Sequence, residues 1–334
     1  VADKFANRGG LTDAYNFAMR DLESAISKLS NAQRQKIFKD GSKFMNLEVI
    51  WPESVNVIPY GQPLLVFHGT MEYGEDGKAI LVGLGKSDDC TSHDFRKAGA
   101  AVTAGIKKSH GSELTVRFDN VGVANMGAFA EGMMLRDYSY DNYKQKDDDE
   151  DKTEVSVRIT CSEAEAEELT KLVVEYKGIC KGVHLSRDLG NCPPNDMYPE
   201  VFADMAWEWA KDFDNVDVTI INYDQAIKAG MGGLVAVGMG SARKPCMVIF
   251  EMNKHVEGRC PLLVGKGITF DTGGISLKPG TNMDEMKYDM GGSATVFGTM
   301  EALAQTGHEG KVVAITCMAE NMPSSNAQRP GDVI

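Results

Sequence analysis

The sequence lacks the motifs that most directly define a metal or disulfide site. It contains no CxxC pair and no HExxH motif, and its seven cysteines and six histidines are dispersed along 334 residues. An odd, scattered set of cysteines indicates reduced thiols in a cytosolic compartment and argues against a disulfide scaffold or a cysteine zinc site. We therefore expect any metal ion to be held mainly by carboxylates.

Excess positive charge and long apolar runs are also missing. The 48 acidic residues outnumber the 35 basic ones, giving a formal net charge of −13, which disfavours a nucleic-acid partner. No apolar run reaches the roughly eighteen residues that a membrane-spanning helix needs. The N-terminal VADKFANRGG has no apolar core of a secretory signal. We expect a globular, cytoplasmic protein without nucleic-acid or membrane partners.

Apolar patterns along the chain predict an α/β protein of two domains. Residues 1–160 form a small N-terminal α/β domain, residues 161–190 a connecting helix, and residues 191–334 a second α/β domain. Ser162 and Glu165 have the spacing of a capping box at the start of the helix. The second domain is predicted to contain a βαβ-type sheet with strands at 216–222, 247–251, 262–265 and 312–318.

Two other stretches carry weaker signals. A helical pattern covers residues 11–39, and the acidic block at 147–151 follows a polar loop. That block has neither the alternating ligand spacing nor the central glycine of a calcium loop, so a solvated loop is favoured over a calcium site.

The chemistry is concentrated in residues 264–292, VGKGITFDTGGISLKPGTNMDEMKYDMGG, where three lysines and three aspartates lie among glycines. In open α/β sheets, ligands bind at the carboxyl ends of strands, which is where this segment is predicted to start. Two dications need a carboxylate that bridges them, and Asp271 and Asp289 are candidates. A lysine beside a dication can lose its proton and coordinate, whereas a cationic lysine can stabilise an oxyanion. Surface salt bridges on a loop are an equal alternative from composition alone.

VGKGITFDTGGISLKP followed by MKYDMGGSATV closely resembles the signature of the leucyl aminopeptidase family (cytosol aminopeptidases), which are two-metal exopeptidases. The upstream NCPPND and the downstream ENMPSSNAQRPGDVI are similar to the same family. The resemblance is strong over residues 185–334 and faint before residue 151. It implies a small N-terminal α/β domain followed by an incomplete α/β/α zinc-exopeptidase-like domain.

The resemblance also implies roles for individual residues. Lys266 matches the metal-binding lysine, Asp271 the aspartate shared by both metals, and Asp289 the aspartate on the same metal as the lysine. Lys278 matches the catalytic lysine that contacts the substrate carbonyl oxygen. Met286 matches a wall of the pocket for the first substrate side chain, with plain core packing as an open alternative.

The three other charged residues of the segment receive no role from the resemblance. We expect Asp284, Glu285 and Lys287 to be solvated charges. Asp271-Thr272-Gly273 also spells the aspartic-protease triplet, but that chemistry needs two such aspartates and the sequence has one copy.

By resemblance, the protein uses two divalent ions, zinc or manganese, and a bicarbonate base to release leucine-like N-terminal residues from peptides, and it assembles as a homo-hexamer. The family's second motif, NTDAEGR, supplies further metal ligands and the arginine that holds bicarbonate, and it is absent from this sequence. We therefore expect a fragment that is inactive alone. The alternatives are a non-catalytic assembly or scaffold subunit with a vestigial site and a metal-free peptide-binding module.

Overall fold

The computed structural model describes residues 46–50, 70–73, 77–80, 90–109, 113–118, 121–145 and 155–334. The chain divides into two compact units, Val1–Cys180 and Lys181–Ile334, and the division falls inside the predicted connecting helix. The predicted domain boundaries at residues 160 and 190 stay predictions. The helical pattern at 11–39 and the acidic block at 147–151 lie outside the described residues.

The first unit contains a parallel sheet and a hairpin. The sheet has the order β1-β5-β4, and the β2–β3 hairpin is antiparallel. The elements of this unit are β1 (Asn46–Ile50), β2 (Thr70–Tyr73), β3 (Gly77–Ile80), α1 (Ser92–Ser109), β4 (Glu113–Arg117), α2 (Val123–Asp137) and β5 (Ser156–Thr160). Its core is formed by apolar side chains of α1, α2 and β5, including Phe129, Met133 and Ile159.

A long helix, α3 (Glu163–Asn191), follows β5 and spans the division between the units. The predicted capping box at its start is formed only in part. The Glu165 carboxylate accepts hydrogen bonds from the Ser162 backbone N–H at 3.0 Å and from the Ser162 hydroxyl at 2.5 Å. The hydroxyl thus donates to Glu165 instead of accepting from its backbone N–H. Pro193 and Pro194 follow the helix and prevent its continuation.

The second unit is built on a four-stranded sheet of order β6-β7-β9-β8. β8 and β9 are parallel and are joined by α7, whereas β6 and β7 run antiparallel to their neighbours. The predicted βαβ arrangement is therefore correct for β8 and β9 and wrong for β6 and β7. The elements are α4 (Pro199–Ala210), β6 (Val216–Ile221), α5 (Tyr223–Lys228), α6 (Gly232–Gly238), β7 (Cys246–Met252), β8 (Leu262–Asp271), a 3₁₀ helix (Met283–Tyr288), α7 (Gly291–Gln305) and β9 (Val312–Asn321).

An aromatic cluster fills the core between this sheet and the helices α4 and α7. Phe202, Phe250 and Phe297 are fully buried, and the ring of Trp209 lies 5.2 Å from that of Phe297. The Trp209 indole N–H donates to the Glu301 carboxylate at 2.6 Å, which satisfies a polar group inside the core. This packing fixes α7 against the sheet and with it the loop that precedes α7.

No helix in the part of the chain that the structure describes is long and apolar enough to cross a membrane.

Candidate metal centre

The strand that carries the site is longer than its sequence predicts. β8 continues past Gly265 to Asp271, so Lys266 and Asp271 lie in the strand and not in the loop expected beyond it. The glycines of this segment mark a close approach of α7. A Cβ on Gly265 would lie 2.7 Å from the backbone oxygen of Gly292, and a Cβ on Gly292 would lie 2.7 Å from the backbone nitrogen of Lys266. The predicted end of the strand at Gly265 is therefore wrong, because glycine is required there by packing.

A β-bulge around Thr269 sets the direction of the site residues. Lys266 pairs with Cys317, and Asp271 pairs with Asn321. The two β8 residues are five positions apart in sequence, whereas their β9 partners are four positions apart. Side chains alternate between the two faces of a strand, and paired residues share a face. The extra residue therefore places Lys266 and Asp271 on the same face of the sheet, where an unbroken strand would place them on opposite faces.

A tight turn after β8 brings Lys278 back to Asp271. Gly273 and Gly274 have φ values of +88° and +68°, which are conformations that residues with side chains rarely adopt. The Thr272 backbone N–H and hydroxyl both donate to the backbone oxygen of Asn321, at 3.0 Å and 2.8 Å. The Lys278 backbone N–H donates to the Thr272 oxygen at 2.8 Å, which closes the loop.

Lys278 and Asp271 form the first of two ion pairs. The Lys278 Nζ lies 2.6 Å from the Asp271 Oδ2 and 3.1 Å from the Met286 Sδ. The other carboxylate oxygen, Asp271 Oδ1, accepts from the Gly273 backbone N–H at 2.9 Å and from the Asn321 Nδ2 at 2.7 Å. Every oxygen of this carboxylate thus has at least one donor.

The surroundings of Asp271 hold its carboxyl in the charged form. Burial alone would raise the pKa of Asp271, but hydrogen bonds from Lys278, Gly273 and Asn321 and the charge of Lys278 act in the opposite direction. The net effect is a pKa below the ordinary value of 3.8. These contacts therefore favour the anionic form of Asp271.

Lys266 and Asp289 form the second ion pair. The Lys266 Nζ lies 2.7 Å from the Asp289 Oδ1, and the lysine side chain is 62% exposed while the aspartate side chain is 20% exposed. The second carboxylate oxygen, Asp289 Oδ2, is buried and has no hydrogen-bond partner among the residues that the structure describes. Buried carboxylate oxygens are normally satisfied, so an unpartnered one points to a group that the protein atoms do not supply.

Met286 connects the two pairs. Its side chain lies in the 3₁₀ helix Met283–Tyr288 and contacts Lys278, and its backbone oxygen accepts from the Asp289 N–H at 3.3 Å. The four lysine and aspartate residues predicted from sequence thus form two ion pairs, and Met286 contacts one residue of each pair.

The remaining charges of the segment behave in two ways. Asp284 and Glu285 are exposed, in agreement with the prediction of solvated charges. Lys287 is half-buried, and its Nζ donates to the Asn191 backbone oxygen at 3.5 Å, so the prediction is wrong for this residue. Burial lowers the pKa of Lys287, against the opposing effects of Cys192 and Asp284. Lys287 thus ties the 3₁₀ helix to the end of α3.

Two features of the site have no counterpart in the roles predicted from sequence. Asn321 holds Asp271, and Arg243 holds the turn that follows α3 by donating to the backbone oxygens of Pro194 and Asn195, at 2.7 Å and 3.2 Å. Arg243 also lies 3.5 Å from Glu320, the residue before Asn321. Asn321 is the second residue of the segment ENMPSSNAQRPGDVI, and the similarity of this segment to the family was the sequence signal that could have identified it.

Solved structures place this architecture in a known class. The chain is similar to the bottromycin maturation enzyme BotP in complex with Mn, at 29% identity and a TM-score of 0.64, covering 92% of this chain and 60% of that one. It is also similar to a variant of tomato leucine aminopeptidase, at 27% identity and a TM-score of 0.69, covering 79% of this chain and 52% of that one. The predicted two-domain α/β class is confirmed.

Sequence comparison then gives the family. Residues 184–334 match the catalytic domain of the cytosol aminopeptidase family, and residues 73–147 match the N-terminal domain of that family. The chain belongs to the cytosol aminopeptidase family, as the sequence motifs predict.

Curated relatives agree with this assignment. A probable cytosol aminopeptidase of Pseudomonas fluorescens is 37% identical over 264 residues, or 77% of this chain and 53% of the relative. One of Agrobacterium fabrum is 41% identical over 266 residues, or 77% of this chain and 52% of the relative. The chain thus spans about half the length of these relatives.

Proposed function

We propose that the protein is a metal-dependent aminopeptidase that releases leucine-like, apolar N-terminal residues from peptides by means of water activated by two divalent cations. The observation that carries the proposal is the meeting of Lys266 with Asp289 and of Lys278 with Asp271 on either side of Met286. The alternative, a loop of surface salt bridges, does not account for the buried and unpartnered Asp289 Oδ2.

The donor set fits part of the shell of a divalent cation. We assign Lys266 and Asp289 to one cation and Asp271 to both. Among the described residues no three His, Cys, Asp or Glu converge, so the lysine amine is needed as a ligand alongside the two carboxylates. An amine coordinates only without its proton, so cation binding at Lys266 should release one. Zinc and manganese accept nitrogen and oxygen donors, and the similar enzyme BotP has been solved in complex with Mn.

Lys278 is the residue that we assign to the reaction itself. Divalent cations held by Lys266, Asp271 and Asp289 would supply the Lewis acidity that activates water and polarises the scissile carbonyl. The Lys278 ammonium stabilises the oxyanion that develops at this carbonyl, and its contacts with Asp271 and Met286 hold it in place beforehand. Met286, whose thioether already borders Lys278, forms a wall for the first side chain of the substrate.

The remaining assignments follow from family resemblance. We propose bicarbonate as the proton acceptor, peptides as the substrates, a homo-hexamer as the assembly and the cytoplasm as the location. The excess of acidic residues supports the absence of a nucleic-acid partner.

The test uses the complete reading frame that contains this chain. After removal of metal with EDTA, added Mn²⁺ or Zn²⁺ should restore hydrolysis of leucine amide, and N-acetylleucine amide should remain intact because its amine is blocked. Tight cation binding without hydrolysis of any peptide would favour a scaffold with a vestigial site. A melting temperature that neither cation raises would favour a metal-free peptide-binding module.

A further inference from the structure

The last residue of β9 contacts the central carboxylate of the site. Asn321 pairs with Asp271 in the parallel ladder, so both side chains lie on the same face at the ends of neighbouring strands. The Asn321 Nδ2 lies 2.7 Å from the Asp271 Oδ1. A carboxylate accepts hydrogen bonds and cannot donate them, so the amide nitrogen of Asn321 has to face Asp271.

Three further contacts fix Asn321 in this position. Its backbone oxygen accepts from both the backbone N–H and the hydroxyl of Thr272. A Cβ on Gly274 would come within 2.8 Å of the Asn321 Oδ1, so the turn packs directly against the amide. Asn321 is thus attached to the turn on one side and to the carboxylate on the other.

The two carboxylate oxygens of Asp271 have different hydrogen-bond partners. Oδ1 receives the Asn321 amide and the Gly273 N–H, and Oδ2 is left to Lys278. Rotation of an aspartate carboxylate about its last torsion is broad and has no sharp rotamer minimum. Hydrogen bonds, and not the side-chain torsion, therefore determine which oxygen faces the interior of the site.

We propose that Asn321 is the positioning residue for Asp271: its amide fixes the plane of the carboxylate and thereby the affinity of the site for divalent cations. The inference rests on the proposed function insofar as Asp271 is a cation ligand. Groups that orient a ligating carboxylate typically change metal affinity by about 10- to 100-fold when they are removed.

The experiment compares Asn321→Ala and Asn321→Leu with Thr272→Val. The two Asn321 variants remove the amide donor, and the leucine keeps most of the side-chain volume in case alanine destabilises the fold. Thr272→Val removes a bond to the Asn321 backbone oxygen and leaves all donors to Asp271 in place. Melting temperatures in EDTA report the structural cost of each change, and calorimetric titration with Mn²⁺ alone reports cation affinity.

We expect both Asn321 variants to bind Mn²⁺ about 10- to 100-fold more weakly, out of proportion to their melting temperatures. Thr272→Val should lower the melting temperature while its Mn²⁺ affinity stays close to that of the wild type. Wild-type affinity in a folded Asn321→Leu would overturn the proposal, as would equal losses in all three variants.

A metal-free measurement separates this inference from the proposed function. Failure of the wild type to bind Mn²⁺ or Zn²⁺ would contradict the metal site itself. In that event the crystal structure of metal-free Asn321→Leu decides: a rotated Asp271 carboxylate supports the positioning role, and an unchanged carboxylate plane overturns it.

Discussion

The two lysine–aspartate pairs at the site differ in how far the protein satisfies them. Asp271 has donors on both oxygens, and its lysine is only 36% exposed. Asp289 has one oxygen on an exposed lysine, and its other oxygen is buried without a partner in the described part of the chain. The first pair is thus held in a fixed geometry by the protein, whereas the second leaves one carboxylate oxygen unsatisfied by the described residues. The comparison suggests that Asp271 provides the frame of the site and that Asp289 provides the oxygen most in need of a cation.

The largest effect is expected from Asp271→Asn, which removes the charge from the fixed pair. A ligand shared by two cations contributes to both, so Mn²⁺ affinity should fall by on the order of 10²-fold or more and activity should be lost with it. Equilibrium dialysis measures the number of bound cations per chain. Two tightly bound cations in this variant would show that Asp271 does not bridge them.

Lys278→Ala tests the other half of the fixed pair. We expect kcat to fall by roughly 10²-fold, because one oxyanion donor is lost, while Mn²⁺ binding persists. Leucine amide hydrolysis and calorimetry on the complete reading frame measure the two quantities. Lys254→Ala is the matched control, since Lys254 forms a similar pair with Asp217, at 2.8 Å, on the antiparallel side of the sheet. Equal kcat values for the two variants would remove Lys278 from the mechanism.

Asp289→Asn probes the incomplete pair. Without metal, the stability should change by no more than about 1 kcal/mol, because a poorly satisfied buried charge is exchanged for a neutral amide. At Mn²⁺ a hundred times above its Kd, the wild type should gain about 2.7 kcal/mol, and the variant should gain much less at the same concentration. Urea unfolding with and without Mn²⁺ measures both values. An undiminished gain would mean that the cation binds elsewhere.

The smallest change in stability is expected from Lys266→Ala. This lysine is exposed, and exposed ion pairs contribute at most about 1 kcal/mol. The substitution should instead change the number of protons released on Mn²⁺ binding. The wild type should release one proton that the variant does not release. Calorimetry in buffers of different ionisation enthalpy counts these protons. Identical proton release would indicate that Lys266 remains an ammonium beside the cation.

Resemblance to the family signature singled out the four charged residues that form the two ion pairs, whereas composition alone left surface salt bridges as an equal alternative. The sequence did not predict that β8 continues to Asp271. Gly265 suggested a strand end, but the glycine is needed because α7 approaches to within 2.7 Å of its missing Cβ. Such a contact depends on the packing of α7, which no local pattern contains.

Long-range pairing accounts for the other differences. The antiparallel pairing of β7 with β6 and β9 depends on which strands meet in the sheet, and short apolar runs look alike in either direction. Lys287 was expected in solvent because the family resemblance gives it no role, yet it is half-buried and donates to the Asn191 backbone oxygen at the end of α3. Asn321 lies in a motif that is similar to the family, but asparagine is a common polar residue and carries no signal of its own. Only its contact with Asp271 distinguishes it from the other polar residues of the motif.

The bulge at Thr269 restricts how β8 can change length. Deleting the extra residue would remove the bulge and leave four regular steps between Lys266 and Asp271, so both side chains would still lie on one face. A two-residue deletion would leave three regular steps, and the aspartate would then project from the face opposite to the lysine. Loss of the bulge alone is therefore compatible with the centre, whereas a two-residue deletion in this interval should abolish it even if the apolar pattern is intact.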